Sequence, residues 1–561
     1  MSRGVVDGCF RRRDTDMAST DGPADEIIGG DFAPEAPTRQ PGLSRRRLLG
    51  SFGAGAAGLA VSAAFPSRAA AAVAAGRTAE ASKSDGERGA DPTSFSRMFS
   101  LPSFAAQTPE LVAALLELGR PGGILDANDP LDRTPKDLIV DLTLSANNAN
   151  NPNHTAGTTF LGQFLDHDMT FDASSKLGVA VDPTRIRNVR TPSLDLDSVY
   201  GLGPVAQQSL YDATDHIKFR LESGGAFEDV PRRSDLTPII ADPRNDSTLI
   251  TCGLHCAFLK FHNAVVDRVR ASGLSDPSDT FEAARAMVLQ HYHWIIVHEF
   301  LPQIVGQTLV DDVIARGAKF YRPRRDQASI PVEFQGAAYR FGHSMIRPSY
   351  RANLAGDNGN PFFALVFKPS EEGKADPDDM RGGARAPRRF VGWQTFFDFG
   401  DGQVKPSKKI DTKVSTPMFA LPLGVIASHD APTALVQRTL MRHLTWQLPS
   451  GQAIARAMRE TALGPQDLAE LAPLGQGLDR STPLFYYVLK EAELVAEGLH
   501  LGPVGGRIVA EVFLGLLRAE ATSYLSTQPQ WRPTLPSRVA GEFGMVDLLR
   551  IAGVDPVSRG Q

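Results

Sequence analysis

Gln163-Phe164-Leu165-Asp166-His167-Asp168-Met169-Thr170 closes an apolar run that opens at Thr158. A histidine held between two carboxylates at the end of such a run is unusual. One carboxylate can bind a hard cation while the imidazole gives and takes protons. The alternative is a capped helix end carrying a surface histidine. The run itself reads as helix over 158–166. Working outward, helical signals recur over 108–118, 246–271, 279–305, 433–447, 450–460, 483–498 and 505–524. In 279–305, Ala283, Ala286, Met287, Gln290, Trp294, Val297 and Leu301 keep the i, i+3/i+4 spacing of an amphipathic helix. Strand-like alternation is scarce, with short strands expected only at 362–367 and 390–393. The fold class is therefore mainly α: a single large helical domain over 90–555, with long loops and little β structure.

Composition bounds the function. The 561 residues carry 59 Lys+Arg against 64 Asp+Glu, a net charge of −5. That leaves no basic field of the kind nucleic-acid binding needs, so no nucleic-acid partner is expected. Three cysteines cannot build a disulfide framework. Cys252 and Cys256 lie four apart in an apolar run and read as buried small residues.

The N-terminus reads as an address. Residues 1–42 are polar, Gly/Pro-rich and poor in aromatics, a disordered extension. Residues 43–75 begin Leu43-Ser44-Arg45-Arg46-Arg47-Leu48-Leu49-Gly50 and continue as an apolar, small-residue stretch. This is the layout of an export signal, with a membrane anchor over 48–64 as the alternative, and its arginine cluster looks like a twin-arginine signal. The expected partner is the twin-arginine export machinery, and the expected location is beyond the cytoplasmic membrane, secreted or in the envelope. Met17 is a candidate start, and cleavage near 72–75 would remove Cys9. No later segment was expected to be apolar enough to span a membrane.

Three further constellations carry chemistry. Arg190-Thr191-Pro192-Ser193-Leu194-Asp195-Leu196-Asp197 sets oxygen-bearing side chains at 191, 193, 195 and 197. Alternating oxygens in a loop suit Ca²⁺, and equally a plain polar turn. Asp242-Pro243-Arg244-Asn245-Asp246-Ser247 precedes a helix, with 245–247 as N-cap material and Arg244 a permanent cation beside it. Tyr339-Arg340-Phe341-Gly342-His343-Ser344 holds a histidine that suits either a core or an axial place on a haem iron. His255, His262, His291, His293 and His298 read as structural. The segment 369–389, dense in charge, Gly and Pro, reads as an exposed loop near the site entrance.

Together, in order and spacing, these segments resemble the animal-type haem peroxidases of the peroxidase–cyclooxygenase superfamily, and within it the bacterial peroxidases. Asp242-Pro243-Arg244-Asn245-Asp246, Trp294 through Pro302, Leu448-Pro449-Ser450-Gly451-Gln452, and Thr522-Ser523-Tyr524-Leu525 through Pro536 add to the resemblance, which covers most of the mature chain. It implies haem b as cofactor, with His167 as distal histidine, Arg244 as distal arginine and Gln163 as the distal glutamine that contacts water or halide. It implies His343 as the iron ligand and Arg340 as the partner of a haem propionate. Asp168 with Thr191, Ser193, Asp195 and Asp197 would hold Ca²⁺, and Asp166 would form an ester to the haem. Two departures stand out. Ser247 replaces the glutamate of a second ester, so at most one ester is expected, through Asp166. Thr439 replaces the asparagine that accepts the N–H of the proximal histidine. The implied activity is reduction of hydrogen peroxide with oxidation of a phenol or halide. Competing readings are a fatty-acid dioxygenase of the same superfamily and a non-catalytic haem protein. The dioxygenases use a tyrosine three residues before the proximal histidine, where this chain has Arg340. Tyr339, four residues before, was expected to point elsewhere.

Overall fold

The computed structural model describes residues 93–561 apart from 145, 224–226, 326, 357 and 427. The extension 1–42, the signal segment 43–75, Cys9 and Met17 lie outside the described residues. Among those described, eight α-helices run to ten residues or more: α1 (Pro109–Leu118), α2 (Ala156–Met169), α3 (Leu249–Ala271), α4 (Pro277–Ile295), α5 (Gln307–Arg316), α6 (Leu435–Thr445), α7 (Leu484–Val495) and α8 (Pro503–Ala519). The strands are short: β1 (Asn150–Thr155), β2 (Glu222–Ser223), β3 (Glu228–Asp229), β4 (Ser349–Arg351), β5 (Phe363–Leu365) and β6 (Pro406–Lys408). They pair antiparallel as β1–β6, β2–β3 and β4–β5. The fold is mainly α, as the sequence implied.

One hydrophobic core runs from Phe95 to Val554. α2 packs on α3, with Phe164 stacked on Phe258 at 4.7 Å between ring centres. The N-terminal turn of α2 presses on Phe396 and Phe397. A Cβ at Gly157 would stand 2.6 Å from the Phe397 ring and 2.7 Å from the Phe396 carbonyl oxygen, so only glycine allows that approach. α3 is long and apolar enough to cross a membrane (23 residues, hydropathy 1.3), contrary to expectation, yet most of it is buried in the core, where His255 and His262 are wholly enclosed.

Several boundaries differ from the sequence reading, each for a physical reason. The helix expected over 246–271 starts at Leu249. Thr248 and Thr251 form the reciprocal capping box there, while Asn245 and Asp246 spend their side chains on tertiary partners. The helix expected over 279–305 is interrupted by a π-helical segment, Ile296–Phe300. The run expected over 505–524 ends at Ala519, and Ser523 caps a separate turn, Tyr524–Thr527. No strand forms at 390–393. Gly392 donates once to the Ala352 carbonyl, and the chain then turns into a 3₁₀ segment, Trp393–Thr395. α5 carried no expectation. Cys252 and Cys256 are buried free thiols, as read.

The loop 369–389 is not simply exposed. Asp379 and Met380 are fully buried, and the loop clamps the segment after Arg244. Met380 and Ser247 carbonyls accept from Leu249 and Gly382 amides. A Cβ at Gly382 would lie 1.5 Å from the Asp246 carbonyl oxygen, so glycine is obligatory at this contact. Arg232, itself buried, bridges Asp229 and Asp246 and donates to the Gly383 carbonyl.

Candidate active site

A single cavity of about 1220 Å³, counting its open mouth, is lined by Gln163, Asp166, His167, Arg244, Ser247, Arg340 and His343 together with Phe300, Tyr339, Phe341, Phe367, Met418 and other apolar side chains. Three stretches of chain supply these polar groups. α2 brings Gln163, Asp166 and His167 on successive turns of one face. The 3₁₀ turn Pro243–Asp246 brings Arg244, and a short helix, Gly342–Met345, brings His343.

His167 is fixed by a chain that the sequence did not reveal. Its Nδ1 lies 2.9 Å from Asn245 Oδ1. Asn245 Nδ2 in turn donates to His255 Nδ1 (3.1 Å) and to the Ser198 carbonyl (3.4 Å). Those two acceptors orient the amide so that its oxygen faces His167. The imidazole therefore carries its proton on Nδ1 and keeps a lone pair on Nε2. Asn245 had been read as a helix cap and His255 as structural; both position His167 instead. Burial, with Arg244 nearby, pushes the His167 pKa down to about 4. The ring is neutral across the physiological range.

Arg244 is equally constrained. Its Nε and Nη2 meet the two Asp242 oxygens at 3.0 and 2.7 Å, Nη2 also donates to the His167 carbonyl at 3.0 Å, and the guanidinium lies 4.3 Å over the Phe171 ring. Burial alone would raise the Asp242 carboxyl, yet the Arg244 charge holds it at about 2. Asp242 thus remains ionised and Arg244 remains aimed. Gln163 Nε2 donates to Ser247 Oγ at 3.3 Å, tying the glutamine amide to the residue that replaces the expected glutamate.

On the other side, Thr439 Oγ1 stands 3.4 Å from His343 Nδ1 and donates its own proton to the Leu435 carbonyl at 3.1 Å. With its only proton committed, the hydroxyl can only accept from Nδ1–H, which leaves the His343 Nε2 lone pair free. Burial, then Arg340 and Arg442, lower the His343 pKa to about 3. Arg442, on α6 and ion-paired to Asp172 at 3.2 Å, is a second cation on this side that the sequence reading missed. Arg340 donates to the Gln335 carbonyl at 2.8 Å, and with the Gln335 amide turned to suit its neighbours, Gln335 links Arg340 Nη2 to Asp166 Oδ1 at 2.9 Å each. Tyr339 also lines the cavity, contrary to expectation. The chain turns there as a 3₁₀ segment, Ala338–Phe341, rather than as an α-helix, and the phenol donates to the Gly162 carbonyl at 3.0 Å.

Behind His167, carboxylate oxygens of Asp168, Asp195 and Asp197 lie within 4.8 Å of one another. Burial, then Asp195 and Asp197, push the Asp168 pKa well up, and burial with Asp195 pushes Asp197 to about 7. Thr191 donates its amide to Asp197 Oδ2 at 2.9 Å. The Ser193 hydroxyl donates to Glu520 Oε2 at 2.9 Å, so its side chain is engaged apart from the three carboxylates. His262, His291 and His293 bond backbone carbonyls and are structural, as read.

The animal haem peroxidase family profile matches residues 177–372. The peroxidase mlt-7 of Caenorhabditis elegans is 33% identical over 133 residues, covering 22% of this chain and 18% of that protein. The chain spans less than a fifth of the length of the first curated relatives it matches. Among solved structures, peroxidase A from Dictyostelium discoideum superposes with a TM-score of 0.52 at 15% identity, over 79% of this chain and 93% of that one. A fatty acid alpha-dioxygenase of Oryza sativa superposes with a TM-score of 0.48 at 12% identity, over 66% of this chain and 70% of that one. Over these segments the chain is similar to the animal haem peroxidases.

Proposed function

We propose that this protein reduces hydrogen peroxide at a haem and oxidises a phenol or a halide. The observation that carries the reading is that two histidines, His167 and His343, line one cavity, each with Nδ1 against a neighbouring side-chain oxygen and with a fixed arginine beside the first. The residues fit haem b: an imidazole nitrogen to ligate iron at His343, the cation Arg340 for a propionate, and apolar walls for the porphyrin. The haem would supply the two-electron redox chemistry. His167 Nε2 takes the proton from one peroxide oxygen and returns it to the other as the bond between them breaks. Arg244, held by Asp242, stabilises the negative charge that develops on the departing oxygen. Thr439, a neutral acceptor, orients the His343 ring. Asp166 is the one carboxylate of the pair needed for haem esters, so at most one ester would form.

The acid limit follows from His167. Its imidazole is the base only while neutral, and its pKa is held down to about 4. The peroxide kcat/KM is expected to hold down to the region of pH 4 and fall below it, rather than break near 6.5. A pH profile measured with haem retention monitored checks this.

Ca²⁺ fits the Asp168–Asp195–Asp197 cluster. Burial and the neighbouring Asp195 raise the pKa of Asp168 and Asp197, Asp197 Oδ1 is buried without a hydrogen-bond donor although Arg190 Nη1 lies 3.5 Å away, and a hard dication would add the charge that Arg190 and Arg285 leave unbalanced. Because Asp168 follows His167, the ion would lock the catalytic ring in place. Chelation is expected to lower stability by about 2.7 kcal/mol relative to protein at a hundredfold excess over Kd, read by thermal unfolding with and without chelator. The reading also includes export by the twin-arginine route, carried by residues 43–75.

Tyr339 favours a second reading, hydrogen abstraction from a fatty acid, because its ring lines the cavity. Its hydroxyl is committed to Gly162 and its ring is packed on Phe334, Phe341 and Phe513, which suits a structural role. The deciding experiment is the absorption spectrum of the purified protein before and after peroxide. A haem spectrum that changes with peroxide and is restored by a phenol supports the peroxidase. Oxygen uptake with linoleate alone, abolished in Tyr339→Phe, supports the dioxygenase.

A further inference from the structure

Away from the cavity, two of the chain's four tryptophans join a tyrosine and a histidine in one contact cluster. His298 stacks on Trp294 with ring centres 3.7 Å apart. Tyr524 lies 5.7 Å from Trp294 and 5.5 Å from Trp531, and Trp531 lies 5.9 Å from Trp294. The Tyr524 hydroxyl is 3.1 Å from His298 Nε2. Trp294 and Tyr524 are buried, Trp531 is half-buried and His298 is exposed. Trp531 is the one indole of the four with appreciable access to solvent. A cleft of about 890 Å³ bordered by Trp294, His298, Arg538 and Glu542 opens beside the cluster. At its inner end, Trp294 lies on α4, which passes through the π-helical segment to Phe300, a wall of the active-site cavity. Six residues of helix advance about 9 Å.

We propose that this cluster is a second oxidation site, at which a phenolic reductant too large for the cavity delivers electrons from the protein surface. The proposal rests on the peroxidase reading, which supplies the oxidant, hydrogen peroxide. Tyr524 passes one electron inward and its hydroxyl proton to His298 Nε2, becoming a neutral phenoxyl radical. The external phenol gives one electron through Trp531 and releases its own proton to solvent. His298 then returns its proton to Tyr524, and a substrate phenoxyl radical leaves. Two such transfers supply the two electrons, and the two released protons, that turn one hydrogen peroxide into two waters. Tyr524 is the resting place of the radical for a physical reason. It has a base for its proton, with His298 Nε2 3.1 Å from its hydroxyl, and the Arg532 guanidinium 5.2 Å over Trp294 opposes a positive hole on that indole.

The test has two arms on the purified full-length protein. In pulse radiolysis, azide radicals oxidise accessible indoles, and the tryptophanyl absorption is expected to decay in step with growth of a tyrosyl absorption. Trp531→Phe and Tyr524→Phe, which keep aromatic bulk, should each abolish most of that growth, and an unchanged signal in both overturns the proposal. In the second arm, haem-loaded protein is treated with peroxide and a spin trap and digested. Adducts on Tyr524 or Trp531 are expected, with oxidation of a bulky phenolic polymer lost in Trp531→Phe and oxidation of a small phenol kept. No adduct in protein whose absorption spectrum responds to peroxide also overturns it. Protein whose spectrum does not respond refutes the peroxidase reading, and the catalytic use of the cluster falls with it.

Discussion

Alanine in place of His167 is expected to slow the reaction with peroxide by roughly 10²–10⁴-fold, with haem retained. The loss is of proton transfer alone. His343 is on a different segment and keeps its bond to Thr439, and Arg244 remains pinned by Asp242 and by a backbone carbonyl that alanine still provides. Stopped-flow mixing with peroxide reads the rate, and the resting spectrum reads the haem. A rate within threefold of the parent would remove His167 from the mechanism. Asn245→Ala should give a smaller loss of the same kind, since the imidazole stays but its tautomer is no longer dictated.

The second large effect lies outside the cavity. Arg232→Ala is expected to cost about 3–5 kcal/mol of stability, measured by urea unfolding. The guanidinium is 6% exposed and makes four bonds of 2.8–3.0 Å to Asp229 and Asp246. Removing it leaves two enclosed carboxylates with only Arg385 as a nearby counter-charge. Asp246 adjoins Asn245, so the damage should reach His167: the surviving folded protein is expected to react more slowly with peroxide. A destabilisation below about 1 kcal/mol would place this network in the class of weak surface pairs.

The residues that line the candidate site were legible because their chemistry is local in sequence. Asp166-His167-Asp168 occupies one helical turn, and Arg244 follows a proline-started turn. What was hidden depends on contacts between distant segments. Nothing near Asn245 says that His167 will claim its oxygen, and Asp246 looks like a cap until Arg232 is known to face it. The π-helical segment at Ile296–Phe300 keeps an apolar pattern that an α-helix would also show, so its break is invisible to periodicity. Tyr339 reaches the cavity because the backbone before His343 makes a tighter turn than the helix its sequence suggests. Thr439 was found by its distance from Leu448-Pro449, and its role as acceptor became clear only from the proton it gives to Leu435.

The cavity walls are drawn from residues as far apart as Thr158 and Leu435. A chain assembling in order must therefore hold its half-built wall open until the later helices arrive, and closing such long loops is slow. Until that closure the apolar lining is available to proteases and to other unfinished chains. A flat hydrophobic guest that bridges both halves would act as a rivet, so the timing of its delivery governs how many chains mature and how many are lost.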